Sequence, residues 1–471
     1  MQKFISKYAL AAHLALLAVA PLFLFPFVGE GATATVLLWL SPLMLVWMLM
    51  EPSRRPDEML HNARVRTASA IAVDPLFWFL LAVVALAGIR ALNDGVGIAY
   101  DAENYRWFLR EPTLSIMPGS SPGAGRLPFA ASLAVLVVVT GCRHAMGKSA
   151  RISFLCSCTV FSGLAATAAA VGCVFGHAGC LQATKCALAD GSFAGTAFGL
   201  HFLGGIAGLA GAYESKWGKY IFFYSFAVGA TAAGLYFFSP APVVMLFGAA
   251  GLLLLVSSLA YLGFAKGRNL AFKCVASMVL ASVVPVLFAA GFAPAGLNES
   301  RLAVLGDGWQ LFPDGFLAAR NALSSISAKI FREHPWIGTG LGTFALDVRF
   351  AASAGDWNLL SPGQASAFNG WWQLTAERGI VGVLLFAIAL GFMGYTFFRR
   401  LASCFGKSFF VPACALGPIA LAAVATETFF DNSLLRPETL AATAAFLALA
   451  GSSLPAVRKP QTEIDRQKQE S

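Results

Sequence analysis

Asn369, Gln373 and Glu377 are spaced four apart, so on an α-helix they share one face and form a polar stripe. Apolar sequence begins at Ile380, which puts the Glu377 carboxyl near the level where water gives way to lipid. A carboxylate there is costly unless it faces a bundle interior or a partner. The same surroundings raise its pKa, toward the range of a useful general base. Trp371 and Trp372 fit the aromatic belt of a membrane boundary. Upstream, the segment 293–370 carries Arg320, Arg332, His334 and Arg349. Guanidinium forks hold phosphate oxygens in pairs, so these cations at a membrane surface suggest an anionic, lipid-linked substrate. Plainer readings stand beside each of these. Glu377 would serve as a helix-start ion pair with Arg378 or a loop arginine, the basic residues as solvated charges, and His334 as support for a turn.

Two elements must position these residues. Pro313 to Glu333 reads as an amphipathic helix. Phe316, Leu323, Ile326, Ile330 and Phe331 recur at helical spacing, with Arg320, Asn321, Ser324 and Lys329 among the polar positions. It stops before Pro335, which disfavours helical geometry at His334. Too polar to span, it is expected to lie along the outer membrane–water boundary. Next comes Trp336-Ile337-Gly338-Thr339-Gly340-Leu341-Gly342, whose alternating glycines allow tight turns and close backbone approach. The run lacks the Gly-Lys-Ser/Thr ending of a phosphate loop.

The rest of the chain has the composition of a membrane protein. Of its 471 residues 58% are hydrophobic and 12% charged, with a mean hydropathy of +0.70. Soluble domains carry about 25% charged residues. The expected class is all-α and polytopic, since the short alternating strands of a membrane barrel are not seen. Apolar runs predict about twelve spans, near 8–28, 32–50, 71–92, 127–141, 152–176, 193–211, 220–238, 243–264, 270–292, 379–398, 409–426 and 438–455. Lys and Arg in the short loops place both termini in the cytoplasm. The chain then divides into a nine-helix bundle (1–292, with a smaller outer loop at 93–126), a large outer loop (293–378), three last spans (379–455) and a disordered tail (456–471).

The net charge of +9 does not argue for nucleic acid, because the basic residues are scattered among short loops. The spans hold almost no mid-span charge, which argues against an ion-coupled transporter. Asp101 and Glu103 would suit a divalent cation in a metal-dependent glycosyltransferase, although a solvated acidic loop is the better account. Cys180 and Cys186 share an outer loop, where a disulfide and two free thiols both fit.

Arg320, the run from Glu333 to Phe344, and Asn369 to Gly382 with Glu377, Gly379 and Gly382 together resemble the O-antigen ligase and O-antigen polymerase superfamily. That family's pattern is an arginine, a His-Pro-x-x-Gly-x-Gly segment, a His-Asn pair and Glu-x-Gly-x-x-Gly leading into a membrane helix. The resemblance implies transfer of a glycan from an undecaprenyl diphosphate carrier to an acceptor hydroxyl. The acceptor would be a lipid A-core or another glycan, at the periplasmic face of the bacterial inner membrane. It implies catalytic roles for Glu377, Arg320 and Asn369, and substrate binding by Arg332, His334, Arg349 and Gln373. No metal or other cofactor is implied; membrane lipids are expected partners and nucleic acid is not.

Two departures stand out. The family's histidine before Asn369 is Phe368 here, and the second family motif falls at Ser257 to Tyr261 without its arginine. With Phe368 in that place, the base is expected to be Glu377, with His334 as the alternative. Ligase, polymerase using the same donor, and non-catalytic family member all remain open on the sequence.

Overall fold

The structure, a computed structural model, describes residues 2–52, 59–94, 97–101, 106–110, 119–120, 124–146, 148–175, 195–214, 218–239, 241–292, 316–357, 367, 369–404, 412–429 and 437–453. Phe368, Cys180, Cys186, Glu103 and the tail expected at 456–471 lie outside these residues. Helices dominate. In chain order they are α1 (Gln2–Met50), α2 (Leu60–Ala72), α3 (Pro75–Leu92), α4 (Arg126–Thr140), α5 (Lys148–Phe175), α6 (Gly195–Glu214), α7 (Gly218–Phe238), α8 (Ala241–Lys266) and α9 (Arg268–Phe292). They continue as α10 (Phe316–Glu333), α11 (Phe344–Ala351), α12 (Ala354–Trp357), α13 (Gly370–Cys404), α14 (Pro412–Thr428) and α15 (Pro437–Ser453). A π-helical turn, Gly141–Ala145, extends α4.

Six helical stretches are long and apolar enough to cross a membrane, by length and composition: Gly31–Met50, Pro75–Leu92, Arg126–Ala145, Gly195–Tyr213, Pro242–Gly263 and Arg268–Phe288. Shorter apolar helices cover Ala9–Leu22, Ser153–Ala168, Tyr220–Tyr236 and Leu416–Thr428. This is the chemistry of a helical membrane protein.

Burial ranks the helices. The Gly195–Tyr213 stretch of α6 is 94% buried and forms the centre, whereas Arg268–Phe288 of α9 is only 17% buried. The exposed side chains of α9 are themselves apolar, with Phe272, Leu287 and Phe288 on its surface. An apolar exterior on an apolar helix suits a lipid surrounding.

α1 cannot be one straight rod. Its residues His13 and Trp47 are 34 positions apart, yet their rings stack with centroids 4.8 Å apart. A straight helix would separate them by about 50 Å. Leu14 and Met48 also converge on Gly141. The segment therefore doubles back, as two apolar stretches at 8–28 and 32–50 require.

α3 is held at both ends. At its start Asp74 caps the helix by accepting from the Leu76 N–H at 3.1 Å. The same carboxylate takes Arg143 Nε at 2.9 Å and contacts His144 Nε2 at 2.6 Å, both from the π-turn. Asp74 is 5% exposed, so removing its charge strands buried donors. Asp74→Asn is expected to cost about 3 kcal/mol in reversible unfolding from detergent. A loss under about 0.5 kcal/mol would mean the tie is unimportant.

The all-α expectation needs an amendment outside the bundle. β1 (Gly97–Asp101) pairs antiparallel with β2 (Arg106–Arg110), so Asp101 belongs to a strand. β3 (Gly119–Ser120) pairs in parallel with β4 (Gly340–Leu341). That short ladder joins the loop at 93–126 to the loop at 293–378, which the sequence suggested were separate. The apolar face of α10 is also taken up by protein. Leu323, Ile326 and Ile330 pack with Phe344, Val348, Ala367 and Ala376 as a second core. The proposed boundary at 378/379 falls inside α13, at a kink.

Candidate functional site

The kink is at Gly379, whose φ of 60° and ψ of −171° are not helical. Gly338, in the turn after α10, also has a positive φ, of 72°. Left-handed geometry disfavours any residue with a side chain. Space excludes one as well. A Cβ on Gly379 would lie 2.5 Å from the Gly338 nitrogen, and one on Gly338 would lie 2.5 Å from the Glu377 carbonyl carbon. The two glycines thus allow two backbones to touch.

The kink frees peptide groups that a regular helix would pair internally, and the turn takes them up. Ile380 N–H donates to Pro335 O at 2.9 Å, and Val381 N–H to Trp336 O at 3.1 Å. In return Thr339 N–H donates to Ala376 O at 3.1 Å. Arg90, near the far end of α3, reaches the carbonyls still open. It donates from Nη1 to Glu377 O at 3.2 Å, and from Nη2 to Arg378 O at 3.4 Å and to Ile337 O. Buried polar groups are costly unless paired, and Arg90 pairs several at once. It is 1% exposed, at the end of an otherwise apolar run. Arg90 lies near the end of the span expected at 71–92, and the kink supplies the oxygens that a buried guanidinium there needs.

Arg90→Met should destabilise the protein by about 3 kcal/mol, with Arg90→Lys recovering only part because an ammonium lacks the fork. Unfolding in detergent would measure this. Equal stability of Arg90→Met and wild type would contradict the role.

The polar stripe is buried: Asn369, Gln373 and Glu377 are 5%, 7% and 6% exposed. Asn369 is the N-cap of α13, its Oδ1 accepting from the N–H of Trp371 at 3.1 Å and Trp372 at 3.3 Å. Gln373 donates from Nε2 to Glu377 Oε1 at 3.2 Å, and its own Oε1 accepts from Ala367 N–H at 3.3 Å. Gly342 N–H also donates to the Glu377 carboxyl. Burial raises the Glu377 pKa, and the nearby Asp347 adds to the rise. The Gln373 and Gly342 bonds and the Arg378 charge oppose it.

Asp347, on α11, is a second buried carboxyl that the sequence did not single out. The nearby Thr339 and Thr343 hydroxyls work to lower its pKa, while its Oδ2 has no hydrogen-bond partner. Burial raises its pKa too. Its only sequence signal is the four-residue spacing from Thr343. Two buried carboxyls flank the turn, each more ready to hold a proton than in water.

The cations are distributed over α10, the turn after it and α11. Arg320 bonds through Nε and Nη2 to the carbonyl of Phe429, at 3.1 and 2.6 Å, which ties α10 to the end of α14. Arg332 and Arg349 are exposed. They sit in the last turns of α10 and α11, where positive charge favours a helix C-terminus. The His334 side chain is exposed, and its carbonyl accepts from Gly338 N–H at 3.1 Å, closing the turn. Among the described residues no cluster of His, Cys, Asp and Glu suits a metal ion. Compared with known proteins, the chain matches no family model and no curated relative.

Proposed function

We propose that the chain is a lipid-linked glycan transferase of the O-antigen ligase type, working at the periplasmic face of a bacterial inner membrane. Twelve spans with both termini in the cytoplasm belong to this proposal. One observation carries it. The turn after His334 and the Glu377–Gly382 stretch, distant in sequence, meet backbone to backbone beside a buried carboxyl.

In the proposed step the acceptor hydroxyl gives its proton to the Glu377 carboxylate. Its oxygen bonds to the anomeric carbon of the glycan. The bond from that carbon to the carrier's diphosphate oxygen breaks, and polyprenyl diphosphate leaves with the electron pair. Among the described residues of this loop, Arg332 and Arg349 are exposed guanidinium groups available to that diphosphate, and Arg320 is engaged at Phe429. Gln373 orients the base and Asn369 fixes the start of its helix.

A deletion strain tests the class. Accumulated full-length chains on the carrier indicate a ligase, and single repeat units indicate a polymerase. An unchanged envelope glycan and an unchanged carrier pool would contradict both.

A second reading is favoured by the low exposure of Glu377: a structural pin that holds the Gly342 turn against α13. A neutral isostere at position 377 separates pin from base.

A further inference from the structure

The turn after α10 leaves large apolar side chains uncovered. Trp336 is 71% exposed, and Ile337 beside it is exposed too. Neither belongs to the second core, which takes Leu323, Ile326 and Ile330 from α10 itself. Backbone hydrogen bonds fix what lies next to them. Val381 N–H donates to Trp336 O at 3.1 Å, so this peptide sits against α13 just past the kink. Arg90 Nη2 reaches the Ile337 carbonyl, so the same turn sits against the end of α3.

Both neighbouring helices are apolar and uncovered there. On α13, Val381, Leu384 and Ile388 are exposed, and no charged residue stands between Arg378 and Arg399. On α3, Ile89 and Leu92 are exposed near the buried Arg90. Three segments far apart in sequence thus bring exposed apolar side chains to one junction. The chemistry is also graded along the chain. Arg332, Glu333 and His334 are exposed and polar, Trp336 and Ile337 follow, and α13 continues without charge. The Trp336 indole has no hydrogen-bond partner among the described residues. An apolar ring with an unspent N–H suits the level where lipid head groups meet their chains. An exposed apolar patch rimmed by polar residues marks a protein or membrane contact. Here its continuity with the exposed side of α13 favours the membrane.

We propose that the Trp336–Ile337 turn is a membrane anchor. Its side chains enter the lipid leaflet beside the α13 kink, Trp336 at the head-group level and Ile337 among the upper parts of the chains. The partner is bulk phospholipid. The membrane contact that the sequence assigned to α10 passes to the turn that follows it. This contact needs no glycan, no transfer step and no choice of membrane face, so failure of the transferase reading would leave it standing.

The test uses the full protein in phosphatidylcholine liposomes. The fluorescence of Trp336 is read as wild type minus Trp336→Phe, a change that keeps a ring at an exposed position. Trp336→Tyr repeats the subtraction independently. The difference signal is expected to fall at least about twofold when the lipids carry bromine on the upper part of their chains. Bromine near the chain ends should quench it less, and iodide on both sides of the membrane should barely change it. A difference signal quenched by iodide and not by brominated lipid would put the turn in water. One quenched by neither would put it under protein, a second copy of the chain included. Either result overturns the anchor.

Discussion

Gly379→Ala is expected to destabilise the protein by about 4 kcal/mol, from a left-handed backbone imposed on alanine plus a clash with main-chain atoms that cannot rotate away. The new Cβ would meet the Gly338 and Ile337 nitrogens and the Trp336 carbonyl carbon, all within 2.6 Å. Relief requires the turn to leave α13. That would break the bonds from Ile380 and Val381 and strand the carbonyls that Arg90 holds. Gly355→Ala is the control, because its added Cβ meets only the Ser353 hydroxyl, at 3.8 Å. Unfolding from detergent, with trypsin cleavage at Arg332 and Arg349 as a local probe, reads both changes. Fast cleavage is expected for Gly379→Ala alone. A Gly379→Ala protein as stable and as resistant as the control would mean that the two backbones are not docked.

Glu377→Gln is expected to lower glycan transfer by about 100-fold or more while leaving the fold intact, because the amide cannot take a proton from the acceptor. An amide oxygen can still accept from Gln373 and Gly342. The pH dependence separates base from pin. Burial raises the Glu377 pKa, so the carboxyl is neutral at low pH and the cost of its buried charge appears as pH rises. Transfer by wild type should therefore increase as pH climbs through the raised pKa. Wild-type stability relative to Glu377→Gln should fall over the same interval. A stabilised, inactive Gln variant identifies a base; a destabilised variant that keeps its activity identifies a pin.

The membrane character and the helical class were legible because they rest on sums over many residues, which no single contact can reverse. The stripe of Asn369, Gln373 and Glu377 was legible because helical spacing is local. The sequence marked Gly338 as a turn former and Gly379 only through the family resemblance, and neither as the other's partner. Two glycines 41 positions apart carry no sign that they touch; only the fold brings the turn to the kink. Arg90 was missed although a lone arginine near the end of the apolar run of α3 is a usable signal. In the sequence it is one residue of the span, yet its position demands acceptors from elsewhere. For the three loop arginines the sequence offered only their nearness along the chain; the structure turns Arg320 to Phe429 and puts the others in the last turns of two helices. Sequence proximity in a long loop does not fix direction; the second core formed by Leu323, Ile326 and Ile330 does, by setting which face of α10 points inward.

The most direct measurement is transfer by the purified protein in liposomes supplied with a polyprenyl diphosphate-linked glycan and a hydroxyl acceptor, following free carrier and glycosylated acceptor together. Carrier release that requires the acceptor, persists in a metal chelator and disappears with Glu377→Gln is the predicted result. A folded wild-type protein that moves no glycan from any such donor, or a Glu377→Gln protein that moves it equally well, would contradict it.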